Sequence, residues 1–210
     1  MRRHAGDLAV EAAVAASLRA TEVRGLEARR GAEGQLAFAQ DAAAWRLELS
    51  ATPIEPVVSV EAMALLSARP GQIAVDALLT FSIEKAPVNT LTLRLPEGAE
   101  NSSVHGADIK TSQLQGREWT IQLAQKVKGS YPLRVTYDHL IPAEGGACAC
   151  GTIEAPAAVR LDGFLLVARD SYRIEVGIEG AEGLFAAEPG DALGRPNVPG
   201  SFRSAAPRVI

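Results

Sequence analysis

Residues 6–29 and 71–94 carry one pattern twice. Aligned without a gap, GDLAVEAAVAASLRATEVRGLEAR lies on GQIAVDALLTFSIEKAPVNTLTLR. Gly6 matches Gly71, Val10 matches Val75, Ala12 matches Ala77, Ser17 matches Ser82, Val23 matches Val88, Leu26 matches Leu91 and Arg29 matches Arg94. Leu8, Val14 and Leu18 fall on Ile73, Leu79 and Ile83, alike in kind. Self-similarity of this length marks a chain built from like units that bury their apolar faces against one another. Arrays of this kind serve more often as scaffolds or binding surfaces than as enzymes.

The second copy reads as strand. Ile73, Val75, Ala77, Leu79, Phe81 and Ile83 alternate with Ala74, Asp76, Leu78, Thr80, Ser82 and Glu84, the period of two of a half-buried strand. Arg69-Pro70-Gly71-Gln72 before it is turn chemistry, so residues 61–68 and 72–84 are expected to form a hairpin. Ala86-Pro87 is expected to end that strand, with another at Leu91, Leu93 and Leu95. Further strands are expected over Val104 to Leu114, at Trp119, Ile121 and Leu123, and at Leu133, Val135 and Tyr137, with Lys128-Gly129-Ser130 as the turn between the last two.

The alanines of the first copy have high helix propensity. Leu8, Val10, Ala12, Val14, Ala16 and Leu18 nevertheless alternate, and the repeat pairs them with a clear strand, so strand is expected there too. Trp45, Leu47 and Leu49 echo Trp119, Ile121 and Leu123, and both tryptophans are expected in the core. After Pro142 a small-residue loop leads to strands at Val159 and Leu161, at Phe164 to Ala168, and at Tyr172 to Ile178. Asp162-Gly163 and Arg169-Asp170-Ser171 are read as their turns, and the stretch from Pro189 to Gly200 as a loop or linker.

These readings define an all-β chain of tandem antiparallel β-sandwich-like units from an internal duplication, with a C-terminal β segment. The expected divisions are 1–66 for the first repeat unit, 67–142 for the second, 143–188 for the C-terminal segment and 189–210 for a Pro/Gly-rich tail. Parallel pairing is not expected, since it calls for helical crossovers that the sequence has little room for.

Composition narrows the function classes. With 21 basic and 25 acidic side chains scattered along 210 residues, there is no basic stripe to neutralise phosphates, so nucleic acid is not an expected partner. The most apolar short run, Phe164 to Ala168, is far below the roughly 20 residues of a membrane span, so no membrane insertion is expected. Asp7 and Glu11 interrupt the stretch after Arg2 and Arg3, which is not the pattern of a secretion signal. Read as a whole protein the chain is expected in the cytoplasm. The repeat begins almost at Met1 and the sequence ends on Val209-Ile210, and read as a piece of something longer its setting is the periplasm or cell envelope.

Chemistry-bearing residues do not converge. Cys148-Ala149-Cys150 could be a metal half-site, a redox pair, a loop disulfide or two idle thiols. One intervening residue fits zinc ligation poorly, and no second Cys/His pair accompanies it. His4 lies in a terminal stretch, His105 is near Asp108, and His139 follows Asp138 at a strand end, where a solvated turn residue is expected. No Gly-x-Ser-x-Gly elbow occurs. Asp138 with Glu144, or Asp170 with Glu175, lack calcium-loop spacing, and Gly145-Gly146 and Gly180 to Gly183 lack the context of a phosphate loop. No catalytic, cofactor-binding or metal-ligating residue is therefore assigned, and no cofactor is expected.

Ala86-Pro87-Val88, the Leu-x-Leu-x-Leu-Pro-x-Gly run from Leu91 to Gly98, Trp119-x-Ile-x-Leu123 and Gly129-x-Tyr-x-Leu-x-Val-x-Tyr137 resemble modules strung along large uncharacterised bacterial envelope proteins. Gly200-Ser201-Phe202-Arg203 resembles the opening of a further unit. The resemblance covers about two thirds of the chain and implies an exported setting, but no site residues. The expected function is a non-enzymatic structural or protein-interaction module, contacting other modules through strand edges or loops. The alternative is a carbohydrate- or ligand-binding accessory module, for which Tyr131, Tyr137, Tyr172 and Phe185 are the available rings. A hydrolase built on His105 and Asp108 is third.

Overall fold

The computed structural model describes residues 6–13, 15–32, 34–40, 42–141, 150–168, 189–193, 202 and 208–209. The chain is all-β, as its alternation requires, with helix among the described residues only at Pro189–Leu193 and at Phe202. It divides into two compact units, 1–56 with 85–87 and 57–84 with 88–210.

The first unit holds β1 (Asp7–Glu11), β2 (Ala16–Arg24), β3 (Leu26–Arg29), β4 (Gln35–Gln40) and β5 (Arg46–Pro53). They form a three-stranded sheet, β1-β4-β3, and a two-stranded ribbon, β2-β5, all antiparallel. Gly25 turns the chain from ribbon to sheet at φ +65, and a Cβ there would lie 2.4 Å from the Ala44 carbonyl oxygen, so only glycine fits. The first repeat copy thus folds as strands, not as the helix its alanines favour. It breaks into three short ones with partners of their own.

In the second unit lie β6 (Val57–Arg69), β7 (Gln72–Arg94, apart from its residues 85–87), β8 (Ala99–Gly106), β9 (Ile109–Gln115), β10 (Glu118–Leu140), β11 (Arg160–Val167), α1 (Pro189–Leu193) and β12 (Arg208–Val209). The sheet order is β12-β11-β6-β7-β10-β8, with β9 also on β10. β6 and β7 form the expected hairpin around Pro70-Gly71, in continuous register from Val57↔Glu84 to Arg69↔Gln72. The expected boundary at 66/67 falls inside β6, which pairs along its whole length with β7.

β7 and β10 carry the architecture. Each runs 23 residues, and their ladder has two arms joined only by Val127↔Val88. Ala86-Pro87 and Lys128-Gly129-Ser130, expected as a break and a turn, lie instead within these strands. The register shifts there, and Lys85 takes φ 59 and Gly129 φ 90. Irregular backbone at the centre of a ladder bends it without ending it. Val75, Leu79, Phe81 and Ile83 from one arm of β7 then share a single buried cluster with Leu91, Leu93 and Leu95 from the other. Trp119, Ile121 and Leu123 of β10 join it, as do Tyr131, Leu133, Val135 and Tyr137.

Four further expectations change. The stretch 104–114 is two strands, β8 and β9, around the Ala107-Asp108 turn. Asp162-Gly163 lies inside β11 and is no turn. β11 itself runs parallel to β6, from Arg160↔Ser59 to Val167↔Leu66. The crossover that parallel pairing demands is supplied by strands β7 to β10, in place of a helix. The contact is close at Gly163, where a Cβ would stand 1.8 Å from the Ala62 carbonyl oxygen. The segment expected as a linker contributes Ala192 and Phe202, both fully buried with Met63, Leu65, Leu166 and Ala168 in a second cluster. Arg169 to Ser171 and Tyr172 to Ile178 lie outside the described residues.

Candidate functional site

Each residue singled out in the sequence has a place. His105 is exposed on β8, its Nε2 3.2 Å from Ser103 Oγ, which lies 2.7 Å from Thr136 Oγ1 on β10. Asp108 sits in the β8–β9 turn at φ 52, and no hydrogen bond joins it to His105. Its charge acts on the Tyr131 phenol, whose pKa is raised first by burial and then by that carboxylate. The Tyr131 hydroxyl donates to the Ala107 carbonyl. The hydrogen-bonded chain is therefore His–Ser–Thr on an open sheet face, not a His–Asp pair.

His139 departs most from expectation. It is 2 % exposed, on the inward row of β10 with Tyr131, Leu133, Val135 and Tyr137, not a solvated strand-end residue. Burial pushes the imidazole pKa below its ordinary value, while a backbone hydrogen bond at Gly98 pulls the other way. Among the described residues its Nε2 has no hydrogen-bond partner. Its ring meets Tyr137 edge-on, centroids 5.4 Å apart, an arrangement that aromatic quadrupoles favour. The Tyr137 hydroxyl donates to the Gly151 carbonyl at 3.2 Å. Burial, and secondly the nearby Cys150 sulfur, raise the Tyr137 pKa strongly. Cys150 is half-buried there. His4, Cys148, Glu144, Asp170, Tyr172, Glu175, Phe185 and the Gly145-Gly146 and Gly180 to Gly183 runs lie outside the described residues. Among the described residues no three His, Cys, Asp or Glu side chains gather as a metal site would require.

The two tryptophans separate. Trp119 is core, as expected, whereas Trp45 is 49 % exposed. Trp119 lies within β10, which has strand partners on both edges, whereas Trp45 precedes β5, which has one among the described residues.

An open cleft of about 440 Å³ lies on the face of β11, β6 and β7 opposite the main core. Its floor is two cross-strand rows, Arg160–Ser59–Ser82 and Asp162–Glu61–Thr80. Arg160 is ion-paired with Asp162. The hydroxyls and charges can hydrogen-bond a polar ligand, but no nucleophile–base pair is assembled among them.

The β2–β5 ribbon leaves much of its strand surface exposed. Alternation, with a register break at Thr21, sorts Ala16, Leu18, Ala20 and Val23 of β2 onto one face with Leu47, Leu49, Ala51 and Pro53 of β5. The other face carries Arg19, Glu22 and Arg24 with Arg46 and Glu48. The apolar face is not closed, for Val23 is 40 % and Leu49 39 % exposed. Among the described residues the outer edges of β5 and β8 have no strand partner. An open edge offers its N–H and C=O groups to any added strand. The alternating RLELS of Arg46 to Ser50 is the signal for this surface, and the expectation that Trp45 is core conceals it.

No family model matches the chain, and no curated protein matches it. Among solved structures it is similar to an M1 zinc metallopeptidase from Deinococcus radiodurans, at 11 % identity and TM-score 0.34 over 54 % of this chain. It is likewise similar to a two-domain M1 zinc metallopeptidase bound to L-tryptophan, at 12 % identity and TM-score 0.35 over 53 %. The match spans about a third of the length of those chains, 32 % in each case. Likeness of this extent carries no activity or ligand to this chain.

Proposed function

We propose that this chain is a non-enzymatic structural or protein-interaction β module, of the kind strung along the large envelope proteins its motifs resemble. The observation that carries the reading is the β2–β5 ribbon, whose apolar face and outer edge stay open while the second unit closes its core. Open edges bind protein through backbone hydrogen bonds, and alternate side chains select the partner. The ligand-binding alternative draws no support from Tyr131 or Tyr137, since both rings are buried. The polar cleft over β6, β7 and β11 is what speaks for it.

Site-specific photocrosslinking tests the proposal. A photoreactive residue replaces Ser50 at the β5 edge, Ser102 at the β8 edge or, as control, Gln122 in the middle of the β7–β10–β9 ladder. Protein adducts from an edge position and none from Gln122 are expected. Absence of adducts from both edges, or labelling by a serine-hydrolase probe that His105→Ala abolishes, would overturn it.

A further inference from the structure

The polar face of the ribbon is arranged against itself. Arg24 stands directly opposite Arg46, and Glu22 directly opposite Glu48. Like charges facing each other across a strand pair are unfavourable. The chain relieves them only along diagonals and within a strand: Arg46 reaches Glu22 at 3.2 Å, Arg24 reaches Glu22 at 2.6 Å, and Arg46 also contacts Glu48. Each cross-strand row thus carries one sign, and adjacent rows alternate in sign.

We propose that the outer edge of β5 is a self-association site, where a second copy of this chain adds its own β5 antiparallel, centred on Leu47. The inference rests on the interaction-module reading and names its partner. In that register Arg46 of each copy faces Glu48 of the other. The rows become Arg24–Arg46–Glu48–Glu22 across the two copies, so a seam of opposite charge joins the two like-charged halves. The odd-numbered residues occupy the other face, where Leu47 meets Leu47 and Trp45 meets Leu49. Trp45 and Leu49 are two of the large apolar side chains left exposed among the described residues, at 49 % and 39 %. One two-fold operation therefore satisfies the edge, the charges and the apolar face together, as an isologous interface must.

β2 is the poorer edge. Its register breaks at Thr21, and Gly25 turns the chain away directly after Arg24, so an added strand would find only a short ladder. The seam at β5 is itself small, at the weak end of interfaces, below about 1,200 Å². The association is therefore weak and depends on protein concentration.

Sedimentation velocity on the full chain over a wide concentration range is the test, with circular dichroism to verify the fold of each variant. The wild type is expected to shift from monomer to dimer as concentration rises. Arg46→Glu alone and Glu48→Arg alone each turn two opposite-charge contacts into like-charge ones, weakening the dimer on the order of tenfold. Mixing these two variants restores opposite charges at both contacts and should recover the dimer as a heterodimer. Leu49→Lys, on the other face, should also weaken the wild-type dimer. A wild type that stays monomeric at the highest concentration overturns the proposal. So does a dimer that survives all three substitutions, or a mixture of folded charge variants that does not associate. A monomeric wild type whose Ser50 position still crosslinks to a different protein would end this proposal and leave the interaction-module reading standing.

Discussion

The first repeat copy and the second share a pattern and differ in what they bury. At matched positions the second copy has Phe81 and Leu93 where the first has Ala16 and Ala28. Phe81 and Leu93 are core residues, whereas in the first unit, among the described residues, only Leu26, Phe38 and the small Ala86 are buried hydrophobics. Fully burying a large apolar side chain contributes roughly 1.5–3 kcal/mol. Replacing such side chains by alanine at several positions removes most of what a unit of this size has to offset its chain entropy. The same alternation thus yields a bent sheet closed on a core in one place and a thin sheet with an open ribbon in the other. Periodicity chooses the strand, and side-chain volume chooses whether the strand closes a core.

The largest effect should come from matched truncations. Phe81→Ala is expected to cost about 3–5 kcal/mol, the range for a buried aromatic, read as a lower denaturation midpoint of the second unit. Leu91→Ala should cost about 2–5 kcal/mol. Leu26→Ala, its counterpart in the first unit, should fall below that range and shift only an earlier, separate transition. Equal losses for Leu26 and Leu91 would break the contrast between the units.

Gly163→Ala comes next, at about 1–3 kcal/mol or more, because its Cβ would strike the Ala62 carbonyl and force β11 off β6. Hydrogen exchange should show loss of protection in β6 and β11 while the β7–β10 ladder keeps its own. Unchanged stability would mean that the parallel pair is not closely packed.

His139 should give a smaller, pH-gated effect. Its folded pKa lies below the ordinary value of 6.5, so the unfolded chain binds the proton more readily. The stability of the neutral, buried ring is fully present above about 6.5 and declines as pH falls toward the lower folded value. His139→Gln should remove this component, flattening the stability–pH profile below 6.5 relative to wild type. Parallel profiles would place the imidazole in solvent.

Most of the strands of the second unit were legible because Leu, Ile, Val and Phe alternate there with polar residues over long runs. The Pro70-Gly71 turn was legible for the same local reason. What alternation does not encode is curvature. Ala86-Pro87 and Lys128-Gly129-Ser130 carry turn chemistry, yet the paired strands continue through them, because the partner ladder resumes beyond each irregularity. Parallel pairing of β11 was hidden too, since its partner lies far back in the chain and its crossover is made of strands. At the candidate site, Trp45 was misplaced by analogy with Trp119, for nothing in RLELS tells how many partners a strand will have. His139 was misplaced because a strand end can be covered by a neighbouring segment, here the turn at Gly98 whose backbone hydrogen-bonds the imidazole.

The most direct test of the account is hydrogen exchange of the full chain at low and at high protein concentration. The β7–β10 amides should be protected equally in both. The amides of Arg46 to Leu49 should exchange quickly in dilute solution and gain protection as concentration rises. Protection at Arg46 to Leu49 that is already high when dilute, or that never changes, would contradict the claim that the first unit leaves its ribbon open for a second copy to complete.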